Sequence, residues 1–158
     1  MLSLVSPRWR ELHQSYGTAE DVPRLLAALG SLTHEAERAE VWFALWRILW
    51  RPDAVYDAAY AALPHLLALT ASSTLGERVQ AIHLAVRVEL LRRGPAAPPM
   101  PADLLGGYAS AIDALPGAVH GCAHDVWSTE TAQIMAAALL VGKRQADLAA
   151  AVLALEGD

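Results

Sequence analysis

Apolar positions recur along most of this chain at the three- and four-residue spacing that is typical of amphipathic helices. Pro, Gly and capping residues interrupt the pattern and divide the chain into separate elements. The pattern therefore predicts an all-α protein. Its predicted helices cover residues 7–16, 18–30, 33–50, 53–71, 74–93, 102–115, 128–141 and 143–155.

The most apolar stretch is a predicted helical hairpin over residues 40–71. Large apolar side chains surround nearly the whole circumference of its first helix, which predicts burial on most sides and a core role for its tryptophans. A turn at Arg51-Pro52-Asp53 follows, and Asp53 is the predicted N-cap of the next helix. Pro64 predicts a bend in that helix. The large apolar residues of the first helix are Trp42, Phe43, Leu45, Trp46, Ile48, Leu49 and Trp50.

The fifth predicted helix carries two apolar stripes on nearly opposite sides. A helix on the surface of a bundle needs one apolar face, whereas a helix between successive layers of a stack needs two. We therefore expect this helix to be covered on both sides. The first stripe is Val79, Ile82, Val86 and Leu90, and the second is Leu84, Val88 and Leu91.

Local signals predict where other helices begin and end. Gly17 is expected to terminate the first helix, and residues 18–21 form a capping box for the second. Residues 74–77 form another capping box, which starts the fifth helix. Pro116 and Gly117 are expected to end the sixth helix.

The predicted helices also pair at a regular interval. First helices of successive hairpins end near Trp50, Arg93 and Gly142, roughly 43–49 residues apart, which is close to the length of HEAT and armadillo units. We therefore expect a HEAT/armadillo-like α-solenoid of about three to four antiparallel helical hairpins. It would form a single domain over residues 1–158, with a stiff Pro-rich internal loop at residues 94–101.

Residues 55–67 read VYDAAYAALPHLL and follow the Trp-rich helix. This arrangement resembles a group of bacterial HEAT-like proteins in which a Trp-rich helix precedes a "VY-AS-AA-VPHL" type segment. The resemblance implies a helical-repeat fold and partner binding without chemistry, and some members look like immunity proteins of interbacterial toxins. Members usually have a His-Gln-Gly turn before this segment. Here Trp50-Arg51-Pro52-Asp53 takes its place, so no role of that turn is carried over.

Composition narrows the classes of function. The chain has 12 basic and 17 acidic residues and a net charge of −5, which favours a protein partner over a nucleic acid, because nucleic-acid binding depends on Lys and Arg. One cysteine, Cys122, excludes an internal disulfide framework and fits a reducing compartment. No apolar run reaches the roughly 18–20 residues that span a bilayer, and the N-terminus does not resemble a secretory signal. We expect a cytoplasmic protein without membrane contact.

Catalytic and cofactor signals are weak. No Gly-rich phosphate loop, HExxH or GxSxG motif occurs, so we expect no cofactor and disfavour an enzyme. His65 is a candidate general base with Asp57 as its orienting acid, but the two lie about 80° apart around a helix, and a bond from His65 to a backbone carbonyl is favoured.

One cluster resembles a metal site. His120 and His124 have the spacing that places two ligands on one helical face, and Asp125 adds an oxygen. Cys122 would point elsewhere on that helix and no fourth ligand is evident. We therefore predict no metal site.

The leading hypothesis is a protein–protein interaction module, specifically an immunity or antitoxin protein that blocks a toxin domain. The acidity of the chain would suit a basic, nuclease-type partner. The candidate partner-binding residues are Arg47, Arg51, Asp53, Asp57, His65, Gln80, His83 and Arg87.

Two alternatives belong to other classes. The first is a small metal- or ligand-binding enzyme that uses His65, His83 or the cluster at residues 120–125. The second is a HEAT-like nucleic-acid binder. Its candidate contacts are Arg47, Arg51, Arg78, Arg87, Arg92 and Arg93.

Overall fold

The computed structural model describes residues 1–95 and 97–155, and these residues form a mainly α-helical protein. The all-α class is confirmed. None of the described helices combines the length and the apolarity needed to cross a lipid bilayer. The helices are α1 (Val22–Ser31), α2 (Glu35–Leu49), α3 (Asp57–Leu69), α4 (Leu75–Arg92), α5 (Ala102–Asp113), α6 (Leu115–His120), α7 (Thr129–Gly142) and α8 (Ala146–Leu153).

Two short antiparallel hairpins interrupt the helical chain. Strand β1 (His13–Gln14) pairs with β2 (Gly17–Thr18), and β3 (Trp50–Arg51) pairs with β4 (Ala54–Val55). The second hairpin contains the predicted turn at Pro52 and Asp53. Asp53 does not cap a helix, because α3 begins only at Asp57 and Tyr56 occupies its N-cap position. The strand pairing holds the chain extended after α2 and delays the next helix.

Helix α4 lies at the centre of the packing. It contacts α3 on one side and α6 and α7 on another. Ile82 and Val86 from the first apolar stripe and Leu84 and Val88 from the second are all fully buried. The prediction that this helix is covered on both sides is therefore confirmed. Helix α3 contacts α1 and α5 as well as α4, and it thereby joins the N-terminal helices to α5.

The prediction for α2 is only partly right. Trp42, Leu45 and Leu49 are buried, but Phe43 is 65% exposed and Trp46 is only half-buried. In the described residues, α2 has its main helix-to-helix contact with α1. One side of α2 therefore stays open to solvent. A count of apolar residues around a helix cannot show whether a neighbour is present on each side.

The predicted first helix is wrong. Pro7–Arg10 forms one 3-10 turn, and the chain then enters the β1–β2 hairpin, in which Gly17 adopts a φ of 137° that favours glycine. Trp9 and Leu12 are fully buried, and the Ala19 amide donates to the Leu12 carbonyl at 2.9 Å. Burial of these two side chains and the hairpin bonds outweigh local helix propensity.

Two of the predicted helix boundaries also need correction. Thr18 lies in β2, and Asp21 precedes α1 without a side-chain capping bond, so residues 18–21 form no capping box. The boundary predicted at residues 74–77 is right, because Thr74 is the N-cap of α4 and its Oγ1 accepts from the Glu77 amide at 3.4 Å. Pro116 does not end a helix but lies in the first turn of α6, where its missing amide costs little.

A buried carboxylate joins α4 to α5. Glu89 is 1% exposed, and Arg92 donates to its two oxygens at 2.8 Å each. Arg93 donates to Glu89 at 3.2 Å, and the buried Tyr108 hydroxyl of α5 donates at 2.8 Å. These bonds lower the pKa of Glu89, although burial opposes the shift. The cluster fixes α5 on α4 across the Pro-rich connection.

Candidate functional site

Exposed aromatic and arginine side chains gather at the C-terminal end of α2. Tyr16 and Phe43 are 59% and 65% exposed, although both are large and apolar. The Arg47 guanidinium lies 5.7 Å from the centre of the Tyr16 ring and 5.6 Å from that of Phe43, and Arg51 lies 5.3 Å from the Tyr16 ring. These are cation–π distances. We call Tyr16, Phe43, Arg47 and Arg51 the arginine rim.

The β1–β2 hairpin fixes the position of Tyr16. The preceding residue, Ser15, donates its amide to the Ile48 carbonyl at 3.0 Å and its hydroxyl to the Arg47 carbonyl at 2.8 Å. Both carbonyls belong to the last turn of α2, where carbonyls lack partners within the helix. The hairpin therefore caps α2 and at the same time places Tyr16 beside the arginines.

Two guanidinium groups converge on the Tyr16 hydroxyl. Arg47 and Arg51 donate to this oxygen at 3.1 Å and 2.9 Å. The Arg47 hydrogen bond, helped by the charges of both arginines, lowers the pKa of the phenol, although desolvation opposes the shift. Neither arginine forms an ion pair with a carboxylate of the described residues. The rim is thus locally cationic on a chain with a net charge of −5.

The arginine rim borders a groove of about 1090 Å³ between the end of α1, the open side of α2 and the start of α4. Phe43 belongs to both features. The groove has apolar and polar walls, as is usual for sites that bind by apolar contact and fix orientation by hydrogen bonds. Its lining includes Leu29, Arg38, Trp42, Phe43, Trp46, Glu77, Gln80 and His83.

An ion pair ties the three helices together beneath the groove. Arg38 of α2 donates to the Glu77 carboxylate of α4 at 2.5 Å and to the Leu32 carbonyl after α1 at 2.9 Å. It also donates to the Leu29 carbonyl. The Arg38 hydrogen bond lowers the pKa of Glu77 against the effect of desolvation. Glu77 is thus engaged mainly with Arg38, and the Thr74 backbone, which is the return partner in a capping box, is close enough to help lower the same pKa.

Trp42 contributes an unsatisfied donor to this groove. Its side chain is 6% exposed, and its indole N–H makes no hydrogen bond with an acceptor of the described residues. The indole is close enough to Glu77 to contribute to the lowered pKa of that carboxyl, but the contact lacks hydrogen-bond geometry. An unpaired buried donor costs about 1–3 kcal/mol.

The inner wall of the groove is a network of aromatic rings and polar groups. The Trp46 indole donates to the Gln80 amide oxygen at 2.5 Å and packs edge-on against the His83 ring at 5.1 Å. Arg87 donates to His83 Nε2 at 3.0 Å and lies 5.9 Å from the centre of the Trp50 ring. Burial, with help from the Arg87 charge, lowers the pKa of His83 to about 4. His83 is therefore a neutral hydrogen-bond acceptor.

The predicted partner-binding residues separate into two groups. Arg47, Arg51, Gln80, His83 and Arg87 lie on the groove or its rim, or contact residues that do. Asp53 lies nearby, in the turn between β3 and β4.

Asp57 and His65 instead hold the N-terminal segment. Asp57 accepts from the His13 amide at 2.5 Å, and His65 Nε2 lies 2.7 Å from the Leu2 carbonyl. The latter contact is the one favoured for His65 from the sequence. Burial lowers the pKa of His65. Since each side chain bonds a different part of the N-terminal segment, the pair does not have the geometry of a general base and its orienting acid.

The histidine cluster near residue 120 does not assemble on one helical face. Helix α6 ends at His120, and the turns that follow separate it from His124. Cys122 is fully buried, and Asp125 pairs with Arg78 at 3.7 Å. Within residues 1–95 and 97–155, no three His, Cys, Asp or Glu side chains are grouped as metal ligands.

The six arginines proposed for nucleic-acid binding have different hydrogen-bond partners. Arg92 and Arg93 bind the buried Glu89. Arg78 donates to the Ser73 and Gly121 carbonyls at 2.9 Å and 3.0 Å. These three guanidiniums are engaged within the protein. A continuous basic stripe, which would follow a phosphate backbone, is therefore not formed by this set.

Sequence reasoning missed Tyr16, Phe43 and Trp42 as parts of a surface site. The spacing of Phe43 and Arg47 was a usable signal, since residues four apart share a helical face, whereas Arg51 lies beyond the helix in β3. No local signal placed Tyr16 beside them, because its position depends on a hairpin that joins the far end of α2.

No family model, curated protein or solved structure matches this chain.

Proposed function

We propose that this protein is a HEAT-like α-solenoid that binds another protein through the groove and the arginine rim. One observation carries the proposal. Two exposed aromatic rings, Tyr16 and Phe43, are stacked with two arginines at the edge of a groove that is lined by Trp42 and Trp46. Trp, Tyr and Arg are the residues that most often dominate binding energy at protein interfaces.

The order of helix contacts supports the solenoid part of the proposal. Helices α1, α3 and α5 contact one another in succession, and α4 contacts α7. Helix α2 joins α4 through side chains such as Arg38 and Glu77. This order is what two parallel rows of helices would give, with α1, α3 and α5 in one row and α2, α4 and α7 in the other.

Rigidity supports the binding part of the proposal. Association is stronger when the contact residues are already held in place, because less conformational entropy is lost. Ser15 anchors the hairpin that carries Tyr16, Arg38 ties α1 to α2 and α4, and Gln80 orients Trp46. Phe43 and the stacked Arg47 then project from a fixed frame.

The specific role that we propose is that of an immunity or antitoxin protein, which would act in the cytoplasm by binding a toxin domain. The support for this role is the resemblance of residues 55–67, which follow the Trp-rich helix, to bacterial HEAT-like proteins. The net charge of −5 would favour a partner that is basic as a whole, because long-range attraction speeds association.

Co-purification with the product of the adjacent reading frame tests this proposal. We expect a stable complex in size-exclusion chromatography, and relief of growth inhibition when the two proteins are co-expressed. Phe43→Ala should weaken the complex by about 2 kcal/mol, or roughly 30-fold in Kd. Leu105→Ala is the matched control, because Leu105 is similarly exposed at 56% but lies on α5.

Two outcomes would contradict the proposal. Failure of the two proteins to bind would refute the immunity role. A complex that Phe43→Ala and Leu105→Ala weaken equally would show that the groove is not the contact surface. Circular dichroism of both variants should match that of the wild type, since each changed side chain is exposed.

A further inference from the structure

We infer that the segment which this surface recognises is acidic, with a carboxylate that binds between Arg47 and Arg51 in place of the Tyr16 hydroxyl. The inference deepens the proposed function and rests on it. The ligand is a stretch of protein that carries Asp or Glu beside an apolar side chain, and the apolar side chain enters the groove next to Phe43.

The uncompensated charge of the rim is the first reason. Arg47 and Arg51 point at one neutral oxygen, and neither forms an ion pair with a described carboxylate. Two like charges held on the same group repel each other, and a bound anion would offset the repulsion. Arginine matches carboxylates in particular, since its planar fork can donate two parallel hydrogen bonds.

The contrast with other arginines is the second reason. Arg38, Arg92 and Arg144 each bind a carboxylate of this chain, with N–O distances of 2.5–2.8 Å. The chain therefore supplies acidic partners to arginines that stabilise its own fold. The rim pair receives only a phenol, which is a weaker partner for a guanidinium than a carboxylate.

Geometry makes the exchange feasible. Tyr16 is 59% exposed, so a carboxylate can approach its hydroxyl from solvent. The Tyr16 backbone is held through Ser15, and the ring stacks with Arg47 and Arg51. A small rotation of the ring would release the hydroxyl and keep the arginines pre-aligned.

The groove would bind the apolar side chain of the ligand. Trp42 lines the groove, and its indole N–H is buried close to the Glu77 carboxyl. Phe43 and the half-buried Trp46 offer apolar area beside it. A ligand with a carboxylate followed by an apolar residue would meet both features at once.

The local charge and the net charge have separate effects. The net charge of −5 acts over the whole surface and is screened beyond about 8–10 Å at physiological salt. The rim acts by direct contact. A partner that is basic as a whole can therefore still present an acidic segment here.

Selection from a random dodecapeptide phage library tests the inference. Binding to the wild-type protein should enrich Asp and Glu, and the enriched peptides should bind at least tenfold more weakly to the Arg47→Gln, Arg51→Gln double variant. Arg24→Gln is the matched control, since Arg24 is an exposed arginine of α1 and its loss should have no such effect. Enrichment of neutral or basic peptides, or no enrichment, would overturn the inference.

Two further measurements isolate the carboxylate. An enriched peptide whose Glu residues are replaced by Gln should lose at least tenfold in fluorescence anisotropy, and equal binding would count against the inference. Tyr16→Phe should leave binding equal or tighter, because the competing hydroxyl is removed, and tenfold weaker binding would exclude the exchange.

Other outcomes separate the inference from the proposed function. If a fluorescent single-stranded oligonucleotide binds more tightly than any peptide and depends on the same two arginines, the rim recognises phosphate and the inference is wrong. A second outcome is that the complex with the adjacent gene product persists in the Arg47→Gln, Arg51→Gln double variant but is lost in Phe43→Ala. In that case the groove binds the partner, and only the contact between the two arginines and a carboxylate is refuted.

Discussion

Removal of the buried Glu89 should destabilise the fold more than any exposed charge change. Its carboxylate accepts four hydrogen bonds, two from Arg92, one from Arg93 and one from Tyr108. Breaking a buried ion pair typically costs 3–5 kcal/mol. Because the two arginine side chains are 30% and 40% exposed and can turn to solvent, we expect about 3 kcal/mol for Glu89→Ala.

Chemical denaturation measures this effect directly. The free energy of unfolding from urea titrations followed by circular dichroism should fall by about 3 kcal/mol, and Tm by roughly 6–12 °C for a chain of this size. Tyr108→Phe should cost about 1–2 kcal/mol, since Glu89 keeps its arginines. Glu40→Ala, at an exposed position of α2, is the control and should change the free energy by less than about 0.5 kcal/mol.

The pH dependence gives a second test of Glu89. Its folded-state pKa lies below the ordinary value of 4.5, so the charged form stabilises the fold. That stability is present above the unfolded-state pKa and is lost as pH falls through the folded-state pKa. The difference in stability between the wild type and Glu89→Gln should therefore shrink on acidification below about pH 4.5. A constant difference, or a loss under 1 kcal/mol in Glu89→Ala, would refute the reasoning.

Two other predictions concern stability. A Cβ at Gly142 would lie 2.6 Å from Pro116 Cγ, so Gly142→Ala should destabilise the fold by about 1–3 kcal/mol in urea titrations. A Cβ at Gly106 in α5 would meet no atom within 4 Å, so Gly106→Ala should stabilise the fold by up to about 1 kcal/mol in the same assay. The folded-state pKa of His83 is about 4, below its ordinary value of 6.5, so the neutral form is favoured in the folded state. The free energy of unfolding should therefore fall by up to about 3 kcal/mol as the pH is lowered from 6.5 to 4, and His83→Gln should flatten this part of the plot of stability against pH.

The sequence was sufficient for features that depend on local periodicity. The two stripes of α4 predicted burial on both sides, and the structure buries Ile82 on one and Leu84 on the other. The all-α class followed from the same periodicity. The favoured environment of His65, a bond to a backbone carbonyl, was also right, because a histidine inside an apolar helix face needs an acceptor nearby.

Local signals were insufficient where distant contacts compete with them. Residues 7–16 have a helical pattern, yet they form a 3-10 turn followed by a hairpin, with Trp9 and Leu12 fully buried. Pro116 was expected to end a helix and instead begins one. In both places the choice was made by packing against residues far along the chain, and single-sequence propensity does not contain that information.

The candidate site was predictable from the sequence only in part. The sequence determined that Phe43 and Arg47 lie one turn apart on α2, since that spacing follows from the geometry of a helix. Arg51 lies beyond the helix, in β3, so its place beside Arg47 does not follow from helical spacing. Only the tertiary structure decided that the face stays open, that Tyr16 arrives on a hairpin to meet both arginines, and that Asp57 and His65 serve the N-terminal segment. The physical reason is that exposure depends on whether another part of the chain covers a face, and this is settled by packing between elements rather than within them.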